Sequence, residues 1–95
     1  MRTLLRITIP AEAGSVAIKN GSLQKLMGTA MEKLKPEAAY FTTHHGERAA
    51  MLVFDMTDSS KIPAIAEPFF AELNAQVEFT PVMNAEDLKK GLSSL

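Results

Sequence analysis

The chain contains no cysteine and no tryptophan, and only one tyrosine. Without cysteine there are no disulfides, thiolate metal sites or cysteine nucleophiles, and a cytosolic location is permitted. No stretch approaches the roughly 20 apolar residues that a membrane helix needs. The opening Met1-Arg2-Thr3-Leu4-Leu5-Arg6 is too short and too interrupted to read as a signal peptide. Runs of one charge are also missing: ten Lys and Arg stand against eleven Asp and Glu, for a net charge of −1. A nucleic-acid partner would need a phosphate-neutralising stripe, and none is visible. What remains is 95 residues, 46% hydrophobic and 22% charged. That composition fits one globular domain over residues 1–95, expected to be soluble, cytoplasmic and free of membrane or nucleic-acid partners.

Alternation of Leu5, Ile7 and Ile9 against Leu4, Arg6 and Thr8 predicts a strand over Thr3–Ile9, closed by Pro10. Ala11 to Gly14 reads as a turn. From Ser15 the period is helical, with a break at Asn20-Gly21. Leu23, Leu26, Met27, Ala30, Met31 and Leu34 then form one apolar stripe, stopped by Lys35-Pro36. Glu37–Thr43 and Ala49–Met56 read as strands joined through His44-His45-Gly46-Glu47. An even-length turn pairs Phe41 with Ala50 and Ala39 with Leu52. A second helix carries Ile62, Ile65, Ala66, Phe69, Phe70 and Leu73 inward, with Pro68 expected to kink it and Asn74 to end it. A last strand alternates Val77, Phe79 and Pro81 with Glu78, Thr80 and Val82. Asn84 and Asp87 cap a short terminal helix with Leu88 and Leu92 facing in.

The order is βαββαβ, the split βαβ arrangement of an α+β, ferredoxin-like fold. Right-handed crossovers give an antiparallel sheet of order 4-1-3-2 with both main helices on one face. Leu5, Ile7, Ile9, Phe41, Leu52, Phe54, Val77 and Phe79 fall on the helix side. The other face carries Leu4, Tyr40, Met51, Val53 and Val82 beside Arg6, Thr8, Thr42, Asp55, Glu78 and Thr80. A monomer would show water a more polar face than this. A homodimer through the sheet face is the simplest cover.

Glu67-Pro68-Phe69-Phe70-Ala71-Glu72-Leu73 followed by Val77-Glu78-Phe79-Thr80-Pro81-Val82 resembles the C-terminal half of muconolactone-isomerase-type proteins. It is similar also to YciI-like and antibiotic-biosynthesis-monooxygenase-like members of the dimeric α/β-barrel superfamily. The resemblance implies two sheets packed face to face around a cavity. That superfamily supports several chemistries, and no family catalytic residue maps onto a position here.

In the expected sheet order Arg6 lies between Asp55 and Glu78 on the second face. An arginine flanked by two carboxylates in a poorly solvated cavity can bind a small organic acid while one acid moves a proton. The plainer reading of the same cluster is structural: a buried ion network that fixes dimer register, or charges near strand ends that reach water. Tyr40, Thr42 and Thr80 are candidate hydrogen-bonding groups, and His44 a rim acid or base. His44-His45 offers two diverging side chains and no third ligand, so no metal is expected. No cofactor is expected either. Gly14-Ser15, read as a helix start, offers a weak anion-binding signal. Met51 stands out as an apolar residue on the second face, with packing its plainer role.

Two functions follow. One is a cofactor-independent, isomerase-like enzyme acting by proton transfer on a small organic acid or aromatic. The other is a non-catalytic ligand-sensing or dimerisation module, for which Ile9-Pro10 with Gly14 faintly resembles the first loop of ACT regulatory domains. An RNA-recognition domain is excluded by missing aromatics on the first and third strands, and a metallochaperone by the absence of cysteine.

Overall fold

The alternation along the first segment produces β1 (Arg2–Ile9), whose Leu5, Ile7 and Ile9 are buried at 0–3% exposure. The computed structural model describes all residues, 1–95. β1 leads through Pro10 directly into α1 (Ala11–Asn20), so the turn expected at Ala11–Gly14 is instead helix. Pro10 sits at φ −55°, ψ 139°, where a proline can precede a helix, and Glu12 in the first turn favours the N-terminal end. Gly21, at φ 81°, breaks the helix and starts α2 (Ser22–Leu34), which ends at Lys35 in left-handed geometry. Proline 36 keeps Lys35 out of the right-handed helical region.

β2 (Ala38–His44) and β3 (Glu47–Asp55) form a hairpin around His45 and Gly46, both at positive φ. Two positive φ values in a two-residue loop match the twist of the flanking strands. Phe41 pairs with Ala50 and Ala39 with Leu52. Asp58 caps a 3-10 turn at Ser59–Lys61 that runs into α3 (Ile62–Leu73), and Asn74 closes α3 at φ 51°. β4 (Gln76–Pro81) completes the sheet, and α4 (Ala85–Leu92) starts with a reciprocal Asn84–Asp87 capping box.

The four-stranded sheet is antiparallel, with order β2-β3-β1-β4; counted from the β4 edge, the neighbours run 4-1-3-2. The sheet is open within one chain. Its core lies under the helices, where Leu5, Ile7, Leu52, Phe69 and Leu73 are fully buried.

Four apolar residues expected in the core lie outside it. Phe41 points to the helix side yet is 61% exposed, because β2 is the edge strand and the helices do not reach over it. Phe70 is 44% exposed on α3. Leu88 and Leu92 are also exposed, because α4 stands off the body rather than folding beneath it. The molecule is accordingly elongated, 50 × 27 × 17 Å, and its 14.7 Å radius of gyration exceeds the about 12 Å expected of a compact chain this long. No helix is long and apolar enough to cross a membrane.

Candidate functional site

The pairing of β1 with both neighbours arranges the uncovered sheet face in cross-strand rows. Tyr40, Met51, Arg6 and Glu78 form one row across β2, β3, β1 and β4. The row on one side is Thr42, Ala49, Thr8 and Gln76; on the other it is Ala38, Val53, Leu4 and Thr80. Five sequence candidates therefore fall within three adjacent rows around Arg6, with strands about 4.8 Å apart.

Asp55 does not join them. It stands opposite Arg2, four residues along β1 from Arg6, or roughly 13 Å away. Its carboxylate accepts instead from the Met1 ammonium at 2.6 Å. That hydrogen bond, reinforced by the ammonium charge, holds the Asp55 carboxyl below its ordinary value near 3.8. The expected triad reduces to the directly paired Arg6 and Glu78. His44 lies near the hairpin end, two rows from Arg6 in the other direction. Its ring meets that of His45 edge-on at 4.1 Å, and no group of three His, Asp or Glu side chains able to hold a metal forms.

Arg6 is half-buried and has no ion pair. One terminal nitrogen contacts the Met51 sulfur at 3.9 Å, a weak acceptor. Its Nε is buried without any partner. Thr8, two residues on and 2% exposed, likewise buries its Oγ1 unpartnered. Two orphaned polar atoms on one strand face are costly, because each has surrendered its water without replacement. Tyr40 is 65% exposed, and Thr42, Thr80 and Glu78 are exposed beside this strip.

Arg2 projects from the same face and shows what a satisfied arginine looks like here. It donates to Glu37 and Asp87, each at 2.5 Å, and the Glu37 hydrogen bond leads in raising its pKa further. The Asp87 contact holds the start of α4 beside the uncovered face.

Gly14 and Ser15 lie in the second turn of α1, so they offer no helix start to an anion. Gly14 serves packing instead. A Cβ there would meet Arg48 Nη1 at 2.8 Å and Ile9 Cγ2 at 3.2 Å. Arg48 uses that space to donate to the Ala11 carbonyl and Ser15 Oγ, tying β3 to α1. Nothing in the strand pattern of β3 signals this tie.

A second feature missed in the sequence is a cleft of about 390 Å³ on the helix side, between α2, α3 and the end of β3. Its charged lining residues are Lys33, Lys61 and Asp55. The sequence signal was slight: Thr29 and Lys33 flank the apolar stripe of α2 beside Ala30 and Leu34. No family model matches the chain, and no curated protein or solved structure matches it.

Proposed function

We propose that this chain works as a homodimer closed face to face over its uncovered sheet, and that the enclosed space holds a small organic anion against Arg6. The observation that carries this reading is an Arg6 without any ion pair on the uncovered face, its Nε unpartnered like the Oγ1 of Thr8 two residues along β1. The guanidinium of this half-buried arginine has no carboxylate partner in the chain, and a small anion supplies acceptors that suit the fork of its terminal nitrogens.

The surrounding surface supports a second copy as the cover. Leu4, Met51, Val53 and Val82 are half-buried and Tyr40 is exposed on this side. Leu88 and Leu92 of α4, anchored beside the face through Arg2, add apolar area. Apolar side chains left open in this number on one sheet face are characteristic of a partner site. The resemblance of residues 67–82 to dimeric α/β-barrel proteins agrees with this arrangement.

Proton transfer, if the dimer is a catalyst of the isomerase type, falls to Glu78. It stands directly opposite Arg6 yet forms no ion pair, whereas Asp55 is occupied by the N-terminus. A ligand-sensing module would use Arg6 in the same way and have no need of Glu78.

Benzoate and other small carboxylates titrated into labelled protein, followed by NMR, test the reading. Wild type should show saturable shifts in the rows around Arg6. Arg6→Met should abolish them, and Glu78→Gln should leave them. Binding that survives Arg6→Met, or the absence of any binding with an intact dimer, contradicts the anion site.

A further inference from the structure

We propose that the cleft between α2 and α3 binds an amphipathic carboxylate: an apolar chain or ring lying among the helices, with its acid group at Lys33 and Lys61. This site lies on the helix side of the sheet, remote from the Arg6 row, and stands independently of it.

The cleft arises because α2 and α3 do not close upon each other. Of the α2 residues only Ala30 is buried, while Leu26 and Leu34 remain partly open. Leu26, Ala30 and Leu34 make one wall, Ile65 and Phe69 the other, and Phe54 with Met56 the floor. At about 390 Å³ the space falls within the roughly 300–1,000 Å³ of small-molecule pockets. Its apolar lining is of the kind that buries the body of a ligand.

The polar groups are distributed to suit one end of such a ligand. Lys33, on the last turn of α2, and Lys61, at the start of α3, both line the cleft. Neither forms a salt bridge. The third charged lining group, Asp55, is neutralised by the Met1 ammonium. The lining itself thus carries two uncompensated positive charges, with Asp58 near Lys61 just outside it, a balance that complements a carboxylate better than a cation. Thr29 and Thr57 add hydroxyls to the lining. Pro68 also lines the space, and because it has no N–H it leaves the Ala64 carbonyl without a helical donor.

Decanoate and decanol, compared by calorimetry on the full chain, test the proposal. Decanoate should bind saturably and more tightly than the alcohol. Lys33→Gln with Lys61→Gln should weaken decanoate by about fivefold or more, because two exposed charge contacts contribute modestly, and should leave decanol unchanged. Thr29→Phe with Ala64→Phe, both at exposed positions, should fill the cleft and remove binding of either probe. Arg6→Met should have no effect. Four results overturn the proposal: no saturable decanoate binding; equal affinity of alcohol and acid with no response to the lysine changes; binding undiminished after filling; or a change in sedimenting mass on filling, which would make the cleft a contact between chains.

Discussion

Replacing Arg6 by methionine removes a guanidinium that the single chain does not satisfy. Arg6 makes no salt bridge, its Nε is buried without a partner, and its only side-chain hydrogen bond is to Met51 sulfur at 3.9 Å. A buried donor left unmade costs about 1–3 kcal/mol. Methionine has a similar length, carries no donor and packs adaptably against Met51. Arg6→Met should therefore leave stability unchanged or raise it by up to about 2 kcal/mol. Urea unfolding at two protein concentrations separates chain stability from any contribution of association. The change should be the same at about pH 3.5 and pH 7.5, on either side of the ordinary glutamate range, since no carboxylate is left stranded. A loss of more than about 1 kcal/mol at neutral pH that shrinks in acid would show that Arg6 is tied to Glu78, and would refute the reasoning.

Leu52, fully buried beneath the helices, should cost about 2–5 kcal/mol when changed to alanine, whereas Phe41→Ala at the uncovered edge should cost less than about 1 kcal/mol by denaturant unfolding. Gly14→Ala should be coupled to Arg48: in an Arg48→Ala background only the 3.2 Å approach to Ile9 Cγ2 opposes a helix-propensity gain of about 1 kcal/mol, so the change should be more favourable there than in wild type, where the guanidinium must also be displaced. Additive changes would contradict that coupling. Asp55 and Asp58 both have carboxyls held below their ordinary value near 3.8, Asp55 by the N-terminal ammonium and Asp58 by the Ser60 N–H. A depressed native pKa means stabilisation that is complete above the unfolded value and fades as pH falls through the native one. Asp55→Asn should flatten the acid limb of a pH–stability profile below about pH 4.

Much of the framework was legible because it rests on local chemistry. Gly46 after His45 permits the two-residue hairpin, and that turn alone sets the pairing of Phe41 with Ala50. Asn74 ends α3 in a left-handed backbone conformation that asparagine tolerates, and the Asn84–Asp87 pair starts α4 through its own side chains. The losses came where distance along the chain matters more than local pattern. Periodicity placed Phe41 on the helix side, but only the lateral reach of the helices decides whether that side is covered. The register of β1 on β3 depends on a long crossover, and so Asp55 came to rest beside Arg2 while the β1–β4 pairing put Glu78 at Arg6. At Ala11–Gly14 the glycine suggested a turn, yet its role is to admit Arg48. The α2–α3 cleft is a gap between elements, which no single periodicity records.

Sedimentation equilibrium at micromolar concentration, on wild type and on Val53→Glu, tests the face-to-face dimer most directly. Val53 is half-buried on the uncovered face beside Leu4, so a charge there should oppose association without entering the core. Wild type should sediment at twice the 10.3 kDa chain mass, and the variant should shift to the single-chain mass with its fold intact. A wild-type protein that stays at 10.3 kDa, or a variant that remains fully dimeric, would contradict the account.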